Sequence, residues 1–567
     1  MKSKTGLKKT GLLLLPICLV IGLRLWALSG QTPHLEKIAL EIGSIPQYRV
    51  GIYPNHSGSN LLFFQETETG LGTFFCETAT GKTRLLYDEK EKGYLGRFRL
   101  LGWSADDRIL AFATMSDSGA TNGSGAINIC KGDTGEVINS IPAEGYAGDS
   151  QFAWLSARSF VYSTFSHRSW LLYAEKPDGS WAQTQVVKRF TDGRLTNLTA
   201  TSSHSIAWQD KQAVWTYDFA RGAMSKVWEA TTNQLTGLAF SDKSGNLLFK
   251  CKDVAGALLL EFRLPNSLDA TGGIVNMTRQ IPNPPRADLD MGLGRFNFKI
   301  RTTPEAAEVK FAWDGMLRYY GLGGNGLFFT GNRLNGVPGI WQFDTKSESV
   351  RQVASAINTP LKWAKNVEPA TGVFTNKAGI QISYHLWQSA HVVPGKKYPL
   401  VVGQALNVWN PFQQVAAHAG WFYATTDLTN WINNTSTWSE DVAGLCGTLP
   451  TSFAIDTSKV CFIAYSAQAD DALRLFKEKP GMASGMVLFH PAGFSLSDMP
   501  VKQLLLFGGT DDKNSPADHL IKLQDAAVNA GISVRFLLQD GVQHLTRSIA
   551  AEREQSLQFA RFLSENK

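Results

Sequence analysis

Short apolar runs separated by polar turns dominate the chain from about residue 50 to residue 355. Six segments share one order, a tight polar turn followed by an apolar strand, and they begin at Tyr53, Gly102, Ala153, Thr201, Ala239 and Gly321. The turns are rich in Gly, Asn, Asp and Ser, and stretches of helical periodicity are scarce. This pattern predicts an all-β region.

The turns recur at intervals of about 40 to 50 residues, a period that suits one four-stranded propeller blade. A single sheet of this kind cannot bury both faces, whereas sheets stacked around an axis bury each other. We therefore predict a β-propeller over residues 36–358. The interval between Ser241 and Gly321 is about twice as long as the others and holds either a degenerate blade or an inserted loop. The predicted number of blades is therefore six or seven. An array of β-sandwiches is the alternative.

The pattern changes near residue 370, where apolar strands begin to alternate with helices. Buried strands are predicted around 396–406 and over 421–427, 459–466, 484–490, 501–509 and 532–539, and helices over 439–449, 467–479 and 547–565. Strands that are apolar on both faces and alternate with helices are typical of a doubly wound, mostly parallel sheet. Residues 360–567 are therefore predicted to form an α/β domain.

The amino-terminal 30 residues have the pattern of an export signal or a membrane anchor. A basic start precedes the apolar run 11–23, and Ala27 and Ser29 supply small residues for cleavage. If the run is continued to Leu28, it nearly reaches the about 20 residues of a membrane-spanning helix. Residues 1–30 are thus a cleaved signal or a retained anchor. We expect an exported protein, periplasmic or extracellular. If the segment is retained, residues 11–28 anchor the protein in the membrane.

Charge and cysteine content argue against nucleic-acid binding, a disulfide scaffold and a zinc site. The net charge is +6, but five positive charges lie before residue 30, and the rest of the chain has no run of Lys and Arg that could bind phosphates. Nucleic acid is therefore not an expected partner. The six cysteines are widely scattered without short spacings, which argues against a disulfide scaffold or a zinc site. No cofactor or metal is implied.

Three polar residues follow predicted parallel strands in the order serine, aspartate, histidine. Ser466 ends one strand and immediately precedes a helix, Asp512 follows the strand 501–509, and His544 follows the strand 532–539. In a doubly wound sheet, loops at the carboxyl ends of the strands converge on one crevice. This order is the one found in α/β-hydrolases.

These residue types suit nucleophilic catalysis. A serine hydroxyl is a weak nucleophile, so an imidazole must take its proton and a carboxylate must orient that imidazole. A backbone N–H at the start of the following helix, that of Ala467, would face the developing oxyanion. His490 and His418 have no evident partner in the pattern and are interpreted as structural.

A propeller followed by an α/β-hydrolase domain resembles the prolyl oligopeptidase family of serine peptidases, and the resemblance covers nearly all of the chain after the signal. FIAYSAQA (462–469) stands at the family's G-x-S-x-G turn, FGGTDDKNSP (507–516) resembles its acid segment, and QDGVQHL (539–545) resembles its histidine loop. The resemblance implies that Ser466 is the nucleophile, that Asp512 rather than Asp511 is the acid, and that His544 is the base.

The chain departs from the family pattern at two places. Ala464 and Gln468 replace both glycines of the turn, so distortion or widening of the turn is expected. The segment GQALNVWNP (403–411) lacks the usual second oxyanion donor, and Gln404 is the candidate substitute. Loss of one such donor costs about 3 to 4 kcal/mol of transition-state stabilisation. Slow or absent catalysis is therefore one alternative, and in the second case the protein only binds a ligand.

The expected function is a serine peptidase that cleaves short peptides through an acyl-enzyme. The interval between Ser466 and Asp512 is too short for an inserted lid domain, so if the crevice is covered, the β region covers it. Substrates are then short peptides or small acyl compounds that enter between the domains. An esterase on the same three residues is the second alternative, and the sequence leaves the oligomeric state open.

Overall fold

The structure is a computed structural model. It describes residues 34–90, 98–115, 124–144, 151–163, 169–188, 195–202, 204–210, 213–229, 234–239, 247–252, 258–264, 286–292, 295–301, 307–313, 315–333, 337–357, 359–403, 411–426, 438–466, 468–479, 481–491, 501–544 and 548–566.

Small antiparallel sheets fill the first half of the described chain, and in each of them the strands pair in sequence order. The first four sheets have four strands each: β1 (Tyr48–Pro54), β2 (Asn60–Glu66), β3 (Gly70–Glu77) and β4 (Thr83–Lys90); β5 (Phe98–Trp103), β6 (Ile109–Met115), β7 (Ser124–Lys131) and β8 (Val137–Glu144); β9 (Gln151–Ser156), β10 (Ser159–Ser163), β11 (Ser169–Glu175) and β12 (Trp181–Lys188); β13 (Leu195–Ser202), β14 (Ser205–Asp210), β15 (Ala213–Asp218) and β16 (Ala223–Glu229).

Three more sheets follow, of which two have three strands: β17 (Gln234–Ala239), β18 (Leu247–Lys252) and β19 (Leu258–Leu264); β20 (Arg286–Gly292), β21 (Arg295–Arg301) and β22 (Val309–Trp313); β23 (Gly315–Gly323), β24 (Gly326–Arg333), β25 (Gly339–Asp344) and β26 (Ser349–Ser355). The described residues thus form seven small sheets. The sheet β20–β22 lies in the long interval of the sequence, so that interval holds an additional blade.

Apolar clusters join the last small sheet to the sixth sheet and to the first. Phe311 of the sixth sheet packs with Phe329 of the seventh. The first and last sheets share another cluster, in which Phe63 of β2 packs with Phe328 of β24 and Ile340 of β25. The last sheet therefore contacts both the sixth sheet and the first, as expected for sheets stacked around an axis.

A single large sheet forms the second half of the described chain. Its strands are β27 (Pro369–Thr375), β28 (Gln381–Trp387), β29 (Tyr398–Val402), β30 (Phe422–Thr426), β31 (Ile455–Tyr465), β32 (Gly485–Phe489), β33 (Gln503–Gly509) and β34 (Ser533–Gln539). The order across the sheet is β27-β28-β30-β29-β31-β32-β33-β34. β27, β28 and β30 pair antiparallel, and all the other neighbours pair parallel. The predicted doubly wound, mostly parallel sheet is confirmed.

Helices cover both faces of the large sheet. They are α1 (residues 34–42), α2 (Pro411–His418), α3 (Trp438–Ser452), α4 (Gln468–Glu478), α5 (Ala517–Asn529) and α6 (Ile549–Glu565). Apolar residues of α3, α4 and α5 pack in the cluster on one face, and those of α1, α2 and α6 pack in the cluster on the other. The fold is therefore a β-propeller followed by an α/β-hydrolase domain.

Helix α1 belongs to the layers of the second domain although it precedes the propeller in sequence. Ile38 and Ile42 are buried in the same cluster as Phe559 of α6. The predicted propeller bounds of 36–358 thus include a helix that packs on the other domain, and the small sheets themselves begin at Tyr48. Periodicity along the chain could not predict this packing, because the partners of α1 lie at the other end of the chain.

The amino-terminal prediction stays a prediction. Residues 11–28 lie outside the described residues. None of the helices in the described ranges is both long enough and apolar enough to cross a bilayer. Of the cysteines, Cys76, Cys130 and Cys461 are free and buried, and Cys446 is free and partly buried.

Candidate active site

Adjacent parallel strands bring four polar side chains to one edge of the large sheet. Ser466 follows β31, His490 follows β32, Asp512 lies in the loop after β33, and His544 lies in the loop after β34. These four strands are consecutive neighbours in the sheet and run parallel. Their carboxyl ends therefore share one rim, where a doubly wound sheet forms its binding crevice.

Ser466 lies in a sharp turn between β31 and α4. Its φ is +49°, in the left-handed region that non-glycine residues rarely adopt. Its backbone N–H donates to the carbonyl of Phe489 at 2.9 Å, which ties the turn to the end of β32. The Ser466 Oγ lies 2.8 Å from Nε2 of His544. The strained turn thus presents the hydroxyl to the imidazole.

The two residues that replace glycine are accommodated in the turn. Ala464 is fully buried in the core cluster beneath the sheet. The Gln468 side chain reaches back, and its Oε1 accepts a hydrogen bond from the backbone N–H of Tyr465 at 3.3 Å. This contact ties the first residue of α4 to the last residue of β31 across the turn. The expected distortion of the turn does not separate Ser466 from His544.

His544 stands between the hydroxyl and the carboxylate. Its Nδ1 lies 2.9 Å from Oδ2 and 3.1 Å from Oδ1 of Asp512. The neighbouring Asp511 is exposed, and Thr510 donates to its carboxylate. Of the two aspartates, Asp512 is therefore the one in contact with the imidazole. A hydroxyl, an imidazole and a carboxylate in this chain of contacts can activate the serine for attack on an acyl carbon.

Asp512 is held as a carboxylate by a dense set of donors. Its side chain is fully buried, and burial by itself would raise its pKa. Hydrogen bonds from His490, His544 and the backbone N–H of Ser515 outweigh burial and lower the pKa to about 2. The backbone N–H of Asn514 donates to Oδ1 as well, at 2.9 Å. The group therefore stays ionised throughout the neutral range.

His490 has a partner at the rim, contrary to the prediction from its sequence pattern. Its Nδ1 lies 2.9 Å from Oδ2 of Asp512. Its ring also meets that of His544 edge to face, with 5.8 Å between the centroids. The signal was present, because His490 follows a predicted parallel strand as the other three residues do. His418, by contrast, contacts the backbone carbonyl of Lys365 at 2.8 Å.

Both candidate oxyanion residues, Ala467 and Gln404, lie outside the described residues. Gly403 is the last described residue before the segment that contains Gln404. A Cβ at Gly403 would lie 2.0 Å from the hydroxyl of Tyr423, so only glycine fits where the chain leaves β29.

Within the described ranges, His490, Asp512 and His544 also form a group with metal-ligand chemistry. Their ligand atoms all lie within 4.8 Å of one another. An ionised carboxylate can only accept hydrogen bonds, so Nδ1 of each ring carries a proton directed at Asp512. A metal ion would have to displace both protons and break the contact that orients His544.

Comparisons with models of protein families and with curated protein sequences find no match. Solved structures match over nearly the whole chain. A structure from work on two prolyl endopeptidases has a TM-score of 0.59 at 11% identity and covers 95% of this chain and 92% of its own. A puromycin-hydrolyzing peptidase of Mycobacterium tuberculosis has a TM-score of 0.55 at 11% identity, with coverages of 93% and 96%. The likeness establishes the fold of the prolyl oligopeptidase family.

Proposed function

We propose that this chain is a serine hydrolase of the prolyl oligopeptidase type that cleaves short peptides through an acyl-enzyme at Ser466. The observation that carries the proposal is the unbroken series of contacts from Ser466 Oγ through His544 to Asp512, with distances of 2.8 Å and 2.9 Å. The left-handed turn at Ser466 supports it, since a strained serine at the end of a parallel strand is typical of hydrolase nucleophiles.

In the proposed reaction, Ser466 Oγ attacks the substrate carbonyl carbon while Nε2 of His544 takes its proton. Asp512 stabilises the resulting imidazolium through Nδ1. The imidazolium then gives the proton to the leaving amine, and the acyl group remains on Ser466. A water molecule, deprotonated by His544, hydrolyses that ester and restores the hydroxyl.

The contact between the domains favours small substrates. The backbone N–H of Ile549, shortly after the His544 loop, donates to the carbonyl of Thr67 in the first propeller sheet at 2.8 Å. Arg49 of β1 also pairs with Glu552 of α6 at 3.0 Å. Because the propeller lies against the segment next to His544, we infer that substrates are short peptides or similar small amides. Neighbours described as prolyl endopeptidases and as a puromycin-hydrolyzing peptidase support amide-bond cleavage.

A fluorophosphonate probe, which reacts with activated serines, tests the proposal. We expect labelling of the wild type and none of Ser466→Ala. Ser458→Ala is the matched control, since Ser458 is an exposed serine near the start of the same strand β31. Labelling that persists in Ser466→Ala contradicts the assignment of the nucleophile. A folded wild type that the probe leaves unlabelled would support a binding protein instead.

A comparison of short peptide amides with acyl esters tests the bond that is cleaved. We expect turnover of both, with Ser466→Ala inactive on each. Turnover of esters alone would replace the peptidase by an esterase on the same residues.

A further inference from the structure

His490 has the same backbone setting at the end of β32 as Ser466 has at the end of β31. Its φ is +47°, close to the +49° of Ser466. Its N–H donates to the carbonyl of Phe507 at 2.9 Å, just as that of Ser466 donates to Phe489. A histidine in the left-handed region is strained, and such strain persists only where the surroundings impose it. Two neighbouring strands thus end in the same turn, and each presents its side chain to the rim.

The His490 ring is buried and directed at the carboxylate. The residue is 3% exposed, and its Nδ1 lies 2.9 Å from Oδ2 of Asp512. The same oxygen accepts from Nδ1 of His544, also at 2.9 Å. Two titratable groups face the ring, the Asp512 carboxylate from the loop after β33 and the His544 imidazole from the loop after β34. One carboxylate oxygen is therefore shared by two imidazoles.

The burial of Nε2 fixes the form of the ring. Nε2 of His490 is buried and has no hydrogen-bond partner among the described residues. A proton on that atom would be a buried donor without an acceptor, which is costly. A proton on Nδ1 therefore suits the site, and it makes the ring a fixed donor to Asp512.

We propose that His490 is a positioning residue of this site, whose Nδ1–H holds the Asp512 carboxylate in the orientation that His544 needs. This inference rests on the proposed function. Loss of the donor has two consequences. The carboxylate is less firmly oriented, which slows the reaction of Ser466. With one donor fewer, the Asp512 carboxylate also stabilises the His544 imidazolium more strongly. The acid limb of the pH profile of the labelling rate therefore moves to higher pH.

The test compares His490→Asn with His490→Gln by the rate of fluorophosphonate labelling as a function of pH. The asparagine amide nitrogen takes the place of Nδ1 and keeps the donor, whereas the glutamine nitrogen takes the place of Nε2 and loses it. We expect His490→Asn to react within about threefold of the wild type and His490→Gln about tenfold more slowly, with its acid limb at higher pH. His418→Gln is the control, since His418 contacts a backbone carbonyl.

The outcomes separate this inference from the proposed function. A wild type that is not labelled, or Ser466→Ala labelled like the wild type, refutes the proposed function. If the wild type is labelled and His490→Gln matches it in rate and pH profile, His490 has no positioning role. Equal slowing of both variants without a shift of the acid limb also refutes the role and indicates packing alone. If His490→Gln does not fold, the test uses His490→Ala with imidazole added to the solution. If the added imidazole does not accelerate labelling of His490→Ala, that result counts against the inference.

Discussion

Replacement of Asp512 by asparagine tests the geometry of the site most directly. The change keeps the shape of the side chain and one oxygen. That oxygen can still accept from the backbone N–H groups of Asn514 and Ser515, which lie 2.9 Å and 3.0 Å from Oδ1. The new NH₂ group then faces Nδ1 of both His544 and His490. Because NH₂ can only donate, each ring must move its proton from Nδ1 to Nε2 or lose its contact at the former Oδ2, and the proton on Nδ1 of His544 then has only the longer contact of 3.1 Å to Oδ1.

The effect on reactivity follows from the tautomer. With the proton on Nε2, His544 can no longer accept the proton of Ser466. The loss expected for a wrong tautomer in such a site is on the order of 10⁴-fold.

The effect on stability follows from the pKa of Asp512. Its folded-state pKa of about 2 lies below the ordinary value of 3.8, so ionisation favours the folded protein. The difference corresponds to about 2 kcal/mol. This contribution is fully present above about pH 4 and is lost as the pH falls toward 2. The stability difference between the wild type and Asp512→Asn should therefore shrink in that range.

Labelling rates at neutral pH and urea unfolding between about pH 5 and pH 2 measure the two effects. Asp511→Asn is the matched control, because Asp511 is exposed and adjacent. Labelling of Asp512→Asn within about tenfold of the wild type, or an equal loss in Asp511→Asn, would refute the reasoning.

Three further changes probe the surroundings of the site. Gln468→Ala removes the acceptor of the Tyr465 N–H, so it should lower the free energy of unfolding by about 1 kcal/mol and slow labelling of Ser466. Urea unfolding and probe kinetics measure the two effects, and labelling at the wild-type rate would show that this hydrogen bond does not support the turn. Glu41→Ala removes the carboxylate that accepts from the backbone N–H groups of Trp363 and Ala364, so limited proteolysis should cut the segment between the domains faster. Phe559→Ala should cost about 3 to 5 kcal/mol in urea unfolding, because the ring is fully buried between α2 and the sheet.

The sequence was sufficient for the order of elements and for three of the four residues at the rim. Turn residues and the period of apolar positions are local properties, so they predict strands and helices without knowledge of the partners. The rule that parallel strands end on one rim then joined Ser466, Asp512 and His544, which the structure brings within hydrogen-bond distance.

Only the tertiary structure decided the contact of His490 with Asp512, the contact of Gln468 with Tyr465 and the position of α1. The His490 contact requires that β32 lie beside β33 and that the ring turn toward Asp512, which depends on a left-handed φ that histidine does not itself favour. The packing of α1 requires a partner helix at the opposite end of the chain. Such contacts join residues whose separation in sequence carries no periodic signal, and the free energy that fixes them comes from packing in three dimensions.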